Sequence, residues 1–187
     1  QTEQGERVQI VPADKVFPYA RQPYSIDRPT PDLVRLMDSI QENGIAEPMI
    51  VRPREGDTYE IIAGHRRDYC AKAVGLETRP VIVREYTDEQ ADILVVDYNI
   101  NREDLLPSEK ARAYKLKLDA MKRQGERSDL TSRQVGTKLS VSNLSEEIGD
   151  SERQIHRYIR LTYLIPELLE KVDLDKLSKE IRKELEE

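Results

Sequence analysis

TYEIIAGHRRDYCAKAVGL, residues 58–76, is the stretch on which the reading of this 187-residue chain depends. Residues 58–63 have the composition of a β-strand. Gly64 turns the chain, and a helix follows at once with Arg66 and Arg67 in its first turn and Gly75 at its end. Where a strand, a glycine turn and a helix start meet, unpaired N–H groups, the positive end of the helix dipole and two guanidinium charges converge. The stretch predicts an anion site, with phosphate as the first candidate.

Upstream, residues 7–11 alternate as an edge strand that Pro12 stops. Residues 18–31 hold four prolines with Tyr19, Arg21 and Tyr24, which is loop chemistry. Thr30-Pro31-Asp32 starts a helix, with Thr as cap and Pro at the first helical position. Leu33, Leu36, Met37 and Ile40 follow at helical spacing until Gly44. Residues 48–52 (PMIVR) form a strand, Glu55-Gly56-Asp57 turns into residues 58–63, and residues 79–85 (RPVIVRE) form another strand. Thr87-Asp88-Glu89-Gln90 fits a capping box that opens a helix to about Asn99. Strands and helices thus share one α+β unit.

A different section starts at Pro107. From Ser108 a helix rich in Ala, Lys and Leu runs to about Gln124 and loses its pattern at Gly125. Thr131-Ser132-Arg133-Gln134 is a second capping box, predicting a short helix over 131–139, with a further piece at 143–148. Gly149-Asp150 turns the chain, and Ser151-Glu152-Arg153-Gln154 opens a helix to about Leu164. Short helix, glycine turn and longer helix are helix-turn-helix grammar. In the last helix Ile155, Ile159 and Leu161 or Tyr163 can face a core. Ser151 stands at its start, and Arg153, Gln154, His156, Arg157 and Arg160 point outward, where such side chains read base edges or grip phosphates. The plainer alternative is an amphipathic helix with Arg on its wet face. Beyond Pro166 the chain is acidic, and Leu174, Leu177, Ile181 and Leu185 form a narrow seam for a partner helix or the domain body.

Charge follows the same division. The net charge is −6, yet residues 1–109 carry 13 basic and 21 acidic residues, residues 110–160 carry 12 and 7, and residues 161–187 carry 5 and 8. The middle segment is therefore basic inside an acidic chain, which suits phosphate contacts there. Charged residues make up 35% of the chain, and no apolar run approaches the roughly 20 residues that span a bilayer. A soluble, cytoplasmic protein without a membrane partner is expected. Cys70, the sole cysteine, cannot form an internal disulfide. The start at Gln1 and the charged end suggest a fragment of a longer protein.

Four features, in this order, carry a resemblance: Gly44-Ile45-Ala46-Glu47-Pro48-Met49-Ile50-Val51-Arg52, Gly64-His65-Arg66-Arg67, Asn99-Ile100-Asn101-Arg102-Glu103-Asp104-Leu105, and the helix-turn-helix at 143–164. From residue 7 to about 173 the chain resembles the ParB family of DNA-partition proteins and their nucleoid-occlusion relatives. The resemblance implies an α+β N-terminal ParB/sulfiredoxin-like domain followed by an all-α helix-turn-helix domain. The expected bounds are 1–106 for the nucleotide-binding domain, 107–127 for a connecting helix, 128–173 for the DNA-binding domain and 174–187 for a helical tail.

What the resemblance implies in function is a homodimer that binds CTP with Mg²⁺ and a palindromic, centromere-like site in double-stranded DNA. Site binding promotes closure of two N-terminal domains into a sliding clamp, and a ParA-type ATPase is the expected partner on the nucleoid or plasmid. Gly44, Glu47 and Arg52 would line the cytidine side. Gly64, His65, Arg66 and Arg67 would hold the triphosphate, and Asn99 with Arg102 would complete the phosphate and metal side, Asn99 as metal ligand.

Departures from the family pattern are informative. His65 and Cys70 stand where Glu and Ala are usual, Glu47 replaces a Gln, and no basic ParA-engaging motif precedes Arg7. Tyr98 occupies the position of the usual Glu, and a phenol with a pKa of about 10 cannot replace a carboxylate at Mg²⁺. Binding is therefore expected more firmly than hydrolysis, and a weak CTPase activity stays open. His65 is expected as a phosphate-loop donor rather than a zinc ligand, and Cys70 as a small packed residue rather than a nucleophile. No carboxylate cluster suits a two-metal nuclease. The rival reading is a helix-turn-helix transcriptional regulator whose N-terminal domain uses no nucleotide.

Overall fold

Strand β4, Thr58–Ala63, passes through Gly64 directly into helix α2, His65–Ala73. The computed structural model describes the backbone of residues 7–128 and 135–186, and the side chains of 7–124 and 141–179. The chain divides into two compact units, residues 1–95 and 96–187.

In the first unit a five-stranded mixed sheet has the order β1-β5-β3-β4-β2. Its strands are β1 Val8–Pro12, β2 Val16–Phe17, β3 Met49–Arg54, β4, and β5 Thr78–Val83. β3 runs antiparallel to β4 and parallel to β5, with a register irregularity between Ile50 and Val51. Alternation in these strands divides the apolar residues between two faces. Val11, Val16, Met49, Val51, Ile61 and Val81 form one buried cluster, and Tyr19, Ile62, Ala91 and Val95 form another.

Helix α1, Pro31–Asn43, begins as expected: Pro31 opens it and Thr30 Oγ1 accepts the Leu33 N–H at 3.2 Å. It packs on α2 through Leu33, Ile40, Cys70 and Ala71. Cys70 is fully buried there, and burial pushes its thiol pKa up, as a packed residue requires. Helix α3, Asp88–Asp97, is opened by a reciprocal capping box in which Thr87 N–H donates to Gln90 Oε1 at 3.0 Å and Gln90 N–H to Thr87 Oγ1 at 3.3 Å.

The second unit is built on α4, Pro107–Ser128, against which α5 (Val135–Ile148), α6 (Glu152–Leu161) and α7 (Pro166–Glu186) pack. Three helix limits differ from the sequence expectation, the smallest difference being α6, which ends at Leu161 rather than near Leu164. α4 continues through Gly125, because a glycine inside a helix costs only about 1 kcal/mol and does not end it by itself. Residues 135–148 form one helix rather than pieces at 131–139 and 143–148, since no proline or glycine interrupts 137–148. The expected capping box at 131–134 lies outside the described residues. Among the described residues no helix is long and apolar enough to cross a membrane.

Candidate nucleotide and nucleic-acid interfaces

The start of α2 has the elements of an anion cradle. Gly64 is its N-cap at φ 102°, with no side chain capping the helix, and the first intrahelical bond is Asp68 N–H to the Gly64 carbonyl at 3.0 Å. The amides of residues 65–67 thus lie ahead of the hydrogen-bonded ladder, at the positive end of the dipole. Gly64 cannot acquire a side chain cheaply: a Cβ would lie 2.8 Å from Met49 Cγ and 3.2 Å from the Arg67 guanidinium.

Arg67 folds back across this turn. Its Nη1 donates to the carbonyls of Glu47 at 2.6 Å and Pro48 at 3.1 Å, tying α2 to the segment ahead of β3. The nearest carboxylate is that of Glu47, 3.5 Å away and mostly exposed. Burial lowers the Arg67 pKa, and the attraction of Glu47 opposes without offsetting it. The cation is thus desolvated further than its partners compensate, and an anion at the α2 start would relieve this. Arg66 Nη2 donates to Thr30 Oγ1 at 2.9 Å, so the α1 cap also orients the second arginine. Thr30 was legible only as a cap, because the partner lies 36 residues away.

Other residues expected at this site are turned to different work. Arg52 is 4% exposed and stands opposite Glu60 in the β3–β4 register. Its Nε and Nη2 lie 2.7 and 2.6 Å from Glu60 Oε2, its Nη1 is 2.8 Å from Asp88, and its guanidinium lies over the Tyr19 ring at 5.4 Å. That guanidinium pins the sheet to the start of α3, a structural role that the sequence did not show beside the cytidine-side place expected of it.

His65 is 5% exposed, and its Nε2 accepts the backbone N–H of Tyr19 at 3.2 Å. Burial pushes its pKa down to about 4, against a smaller opposing pull from Asp68, so the ring is neutral and the proton sits on Nδ1. Through Nε2 the side chain pins the 18–20 loop, a role additional to the one expected of it at the phosphate loop. Tyr19 continues the network, donating from Oη to Asp92 at 2.6 Å and accepting from Arg21 at 3.0 Å. Tyr19, Glu60 and Asp92 carried no local signal in the sequence, since each acquires its role through contacts distant along the chain.

Gly44 ends α1, its N–H bonded to the Ile40 carbonyl at 2.9 Å. Asn99 and Arg102 belong to the second unit. Arg102 grips Asp104 in a two-point ion pair at 3.0 and 2.7 Å, and its N–H donates to the Asn99 carbonyl at 3.1 Å, giving this segment a tight local turn. Tyr98 is exposed. Among the described residues no group of three His, Cys, Asp or Glu side chains is placed to hold a metal. Mg²⁺ carried on phosphates needs only one or two protein ligands, so the chemistry of this segment is compatible with it.

In the second unit Ser151 caps α6, accepting the Gln154 N–H at 3.3 Å. Ile155 is fully buried, whereas Ser151, Arg153, Gln154, His156, Arg157 and Arg160 are all exposed, as their spacing predicts. Tyr158 meets Tyr114 of α4 edge to face at 5.6 Å, which fixes the roll of α6 and keeps its cationic face outward.

The ParB N-terminal domain profile matches residues 1–100. The probable chromosome 1-partitioning protein ParB of Deinococcus radiodurans is 32% identical over 174 residues, covering 93% of this chain and 54% of that protein. A nucleoid occlusion protein of Listeria monocytogenes is 33% identical over 172 residues, covering 91% of this chain and 53% of that protein. The chain spans about half the length of these relatives. Among solved structures, the C-terminally truncated chromosome-partitioning protein ParB from Caulobacter crescentus complexed to the centromeric parS site is similar at a TM-score of 0.53 and 26% identity, covering 86% of this chain and 74% of that one. The profile match across the α+β unit, with alignments that extend over nearly the whole chain, shows that this chain belongs to the ParB family of DNA-partition and nucleoid-occlusion proteins.

Proposed function

We propose that this chain is the nucleotide- and DNA-binding part of a CTP-dependent partition protein that acts as a homodimeric DNA clamp. The observation that supports the nucleotide reading best is Arg67: a partly buried guanidinium at a helix start that no side chain caps, compensated by two carbonyls and one mostly exposed carboxylate. In this reading Gly64, Arg66, Arg67 and the amides of 65–67 hold the triphosphate, and the backbone of 44–49 with Glu47 lies on the cytidine side. Asn99 and Arg102 complete the phosphate side, Asn99 toward Mg²⁺. The bound nucleotide supplies negative charge that compensates these cations. Tyr98 in place of a carboxylate makes the site a switch that binds nucleotide better than it cleaves it.

The DNA reading assigns α5 and α6 as a helix-turn-helix, with α6 in the major groove. Its support is the exposed set Arg153, Gln154, His156, Arg157 and Arg160 in a basic segment, together with the Caulobacter crescentus relative whose structure contains the parS site. A palindromic site, a homodimer and a ParA-type ATPase partner in the cytoplasm belong to the same proposal. CTP, ATP and GTP binding measured with and without a specific DNA duplex tests it. The expected result is CTP binding strengthened by the duplex; no CTP binding in either condition would overturn the reading and leave a DNA-binding regulator.

A further inference from the structure

Within the second unit one buried cation joins two segments that the proposed function assigns to different ligands. Lys117 of α4 is 3% exposed, on a helix face whose other buried members are Ala113, Tyr114, Leu118 and Ala120. Its Nζ donates to Asp97 Oδ1 at 2.5 Å and to Glu147 Oε2 at 2.5 Å. Asp97 is the last residue of α3, two positions before Asn99. Glu147 lies in the last turn of α5, two positions before Gly149 and the turn into α6.

We propose that Lys117 is a positioning residue that couples the conformation of the 97–102 segment to that of the turn between α5 and α6. The argument rests on an asymmetry of burial. The side chains of Asp97 and Glu147 are 41% and 52% exposed, so each carboxylate has water as an alternative partner. The ammonium is buried and has none. An unpaired charge in that position is costly, so withdrawal of one carboxylate increases the demand on the other. Two segments 50 residues apart thereby share one cation, and their ion pairs are not independent.

Tyr114, three residues and nearly one helical turn before Lys117, strengthens the connection. Its hydroxyl donates to the carboxylate of Asp150, and Ser145 Oγ donates to the Asp150 carbonyl at 2.7 Å. Two neighbouring positions on one face of α4 therefore hold the turn that sets the start of α6. In biological meaning the inference rests on the proposed function, because it links the Asn99–Arg102 segment to the DNA helix. The physical coupling needs neither ligand and is tested without them.

Native-state amide hydrogen exchange on the full chain reads it. In the 97–102 segment the reporters are the hydrogen-bonded amides of Asn99, Ile100 and Arg102; beyond α5 they are Gly149, Gln154 and Ile155. Glu147→Gln should slow exchange at the first group by about three- to tenfold, because opening that segment would then leave the buried ammonium without a carboxylate, and Asp97→Asn should do the same at the second. In a Lys117→Met background, which removes the charge while keeping an unbranched apolar side chain, neither substitution should retain its distant effect. A purely local response to Glu147→Gln and Asp97→Asn would overturn the proposal. So would a uniform rise throughout α4, which marks a merely stabilising ion pair, or a distant effect that survives Lys117→Met. The two carboxylate variants keep the test decisive if Lys117→Met does not fold, because both positions are part-exposed. Absence of CTP binding would sink the reading of Asn99 and Arg102 while leaving these exchange results to decide the coupling.

Discussion

Replacing Gly64 with alanine probes the geometry on which the anion cradle depends. At φ 102° an L-residue occupies backbone space that only glycine visits readily, which costs about 1–3 kcal/mol. The new Cβ would also sit 2.8 Å from Met49 Cγ, and Met49 is fully buried at the start of β3, so relief requires repacking at a further cost of about 1–3 kcal/mol. The sum, roughly 2–6 kcal/mol, is a large fraction of the about 5–15 kcal/mol that stabilises a typical domain. For a unit of this size it corresponds to a fall in Tm of at least about 8 °C. Gly56→Ala supplies the control, since Gly56 shares a positive φ of 73° but a Cβ there meets nothing within 4 Å. Urea and thermal unfolding followed by circular dichroism should show Gly64→Ala destabilised well beyond Gly56→Ala. Equal losses in the two variants would refute the argument that Met49 and Arg67 close tightly around the turn.

Three other perturbations check separate steps. Because burial holds the folded His65 pKa near 4, below its ordinary value near 6.5, the unfolded chain takes a proton that the folded chain refuses as pH falls between those values. Acidification across that window should therefore remove up to about 3 kcal/mol of stability, and His65→Gln should flatten the slope relative to wild type; parallel pH profiles would contradict it. Glu60→Gln should destabilise the first unit by roughly 2–3 kcal/mol in urea unfolding, less than the full cost of orphaning a buried charge because Asp88 still faces Arg52. Arg153→Ala or Arg157→Ala should cut the preference for the specific DNA site about tenfold in competition titrations, whereas equal losses on specific and random duplexes would make these residues phosphate contacts.

Much of the local architecture was legible because its determinants are close in sequence. The Thr30 and Ser151 caps and the Thr87–Gln90 box each form within four residues, and each was found. The Gly64 turn and the outward set on α6 follow from spacing alone. The structural roles of Arg52 and His65 were not legible, because an arginine beside a predicted anion site and a histidine at a helix start give no local sign of their partners. Those partners, Glu60 across a strand pair and the Tyr19 amide 46 residues away, exist only once the sheet has formed. Lys117 escaped notice for the same reason: in a Lys-rich amphipathic helix, nothing distinguishes the one lysine that folding buries against Asp97 and Glu147.

The most direct test of the account is one variant measured two ways. Arg67→Ala removes the guanidinium that lies across the α2 start and leaves α6 unaltered in sequence. Calorimetric CTP titration should show binding by the wild type and its loss in the variant, while affinity for the specific DNA duplex without nucleotide stays within about twofold. Undiminished CTP binding by Arg67→Ala, or equal loss of nucleotide and DNA binding, would contradict the assignment of nucleotide to the α2 start and DNA to α6.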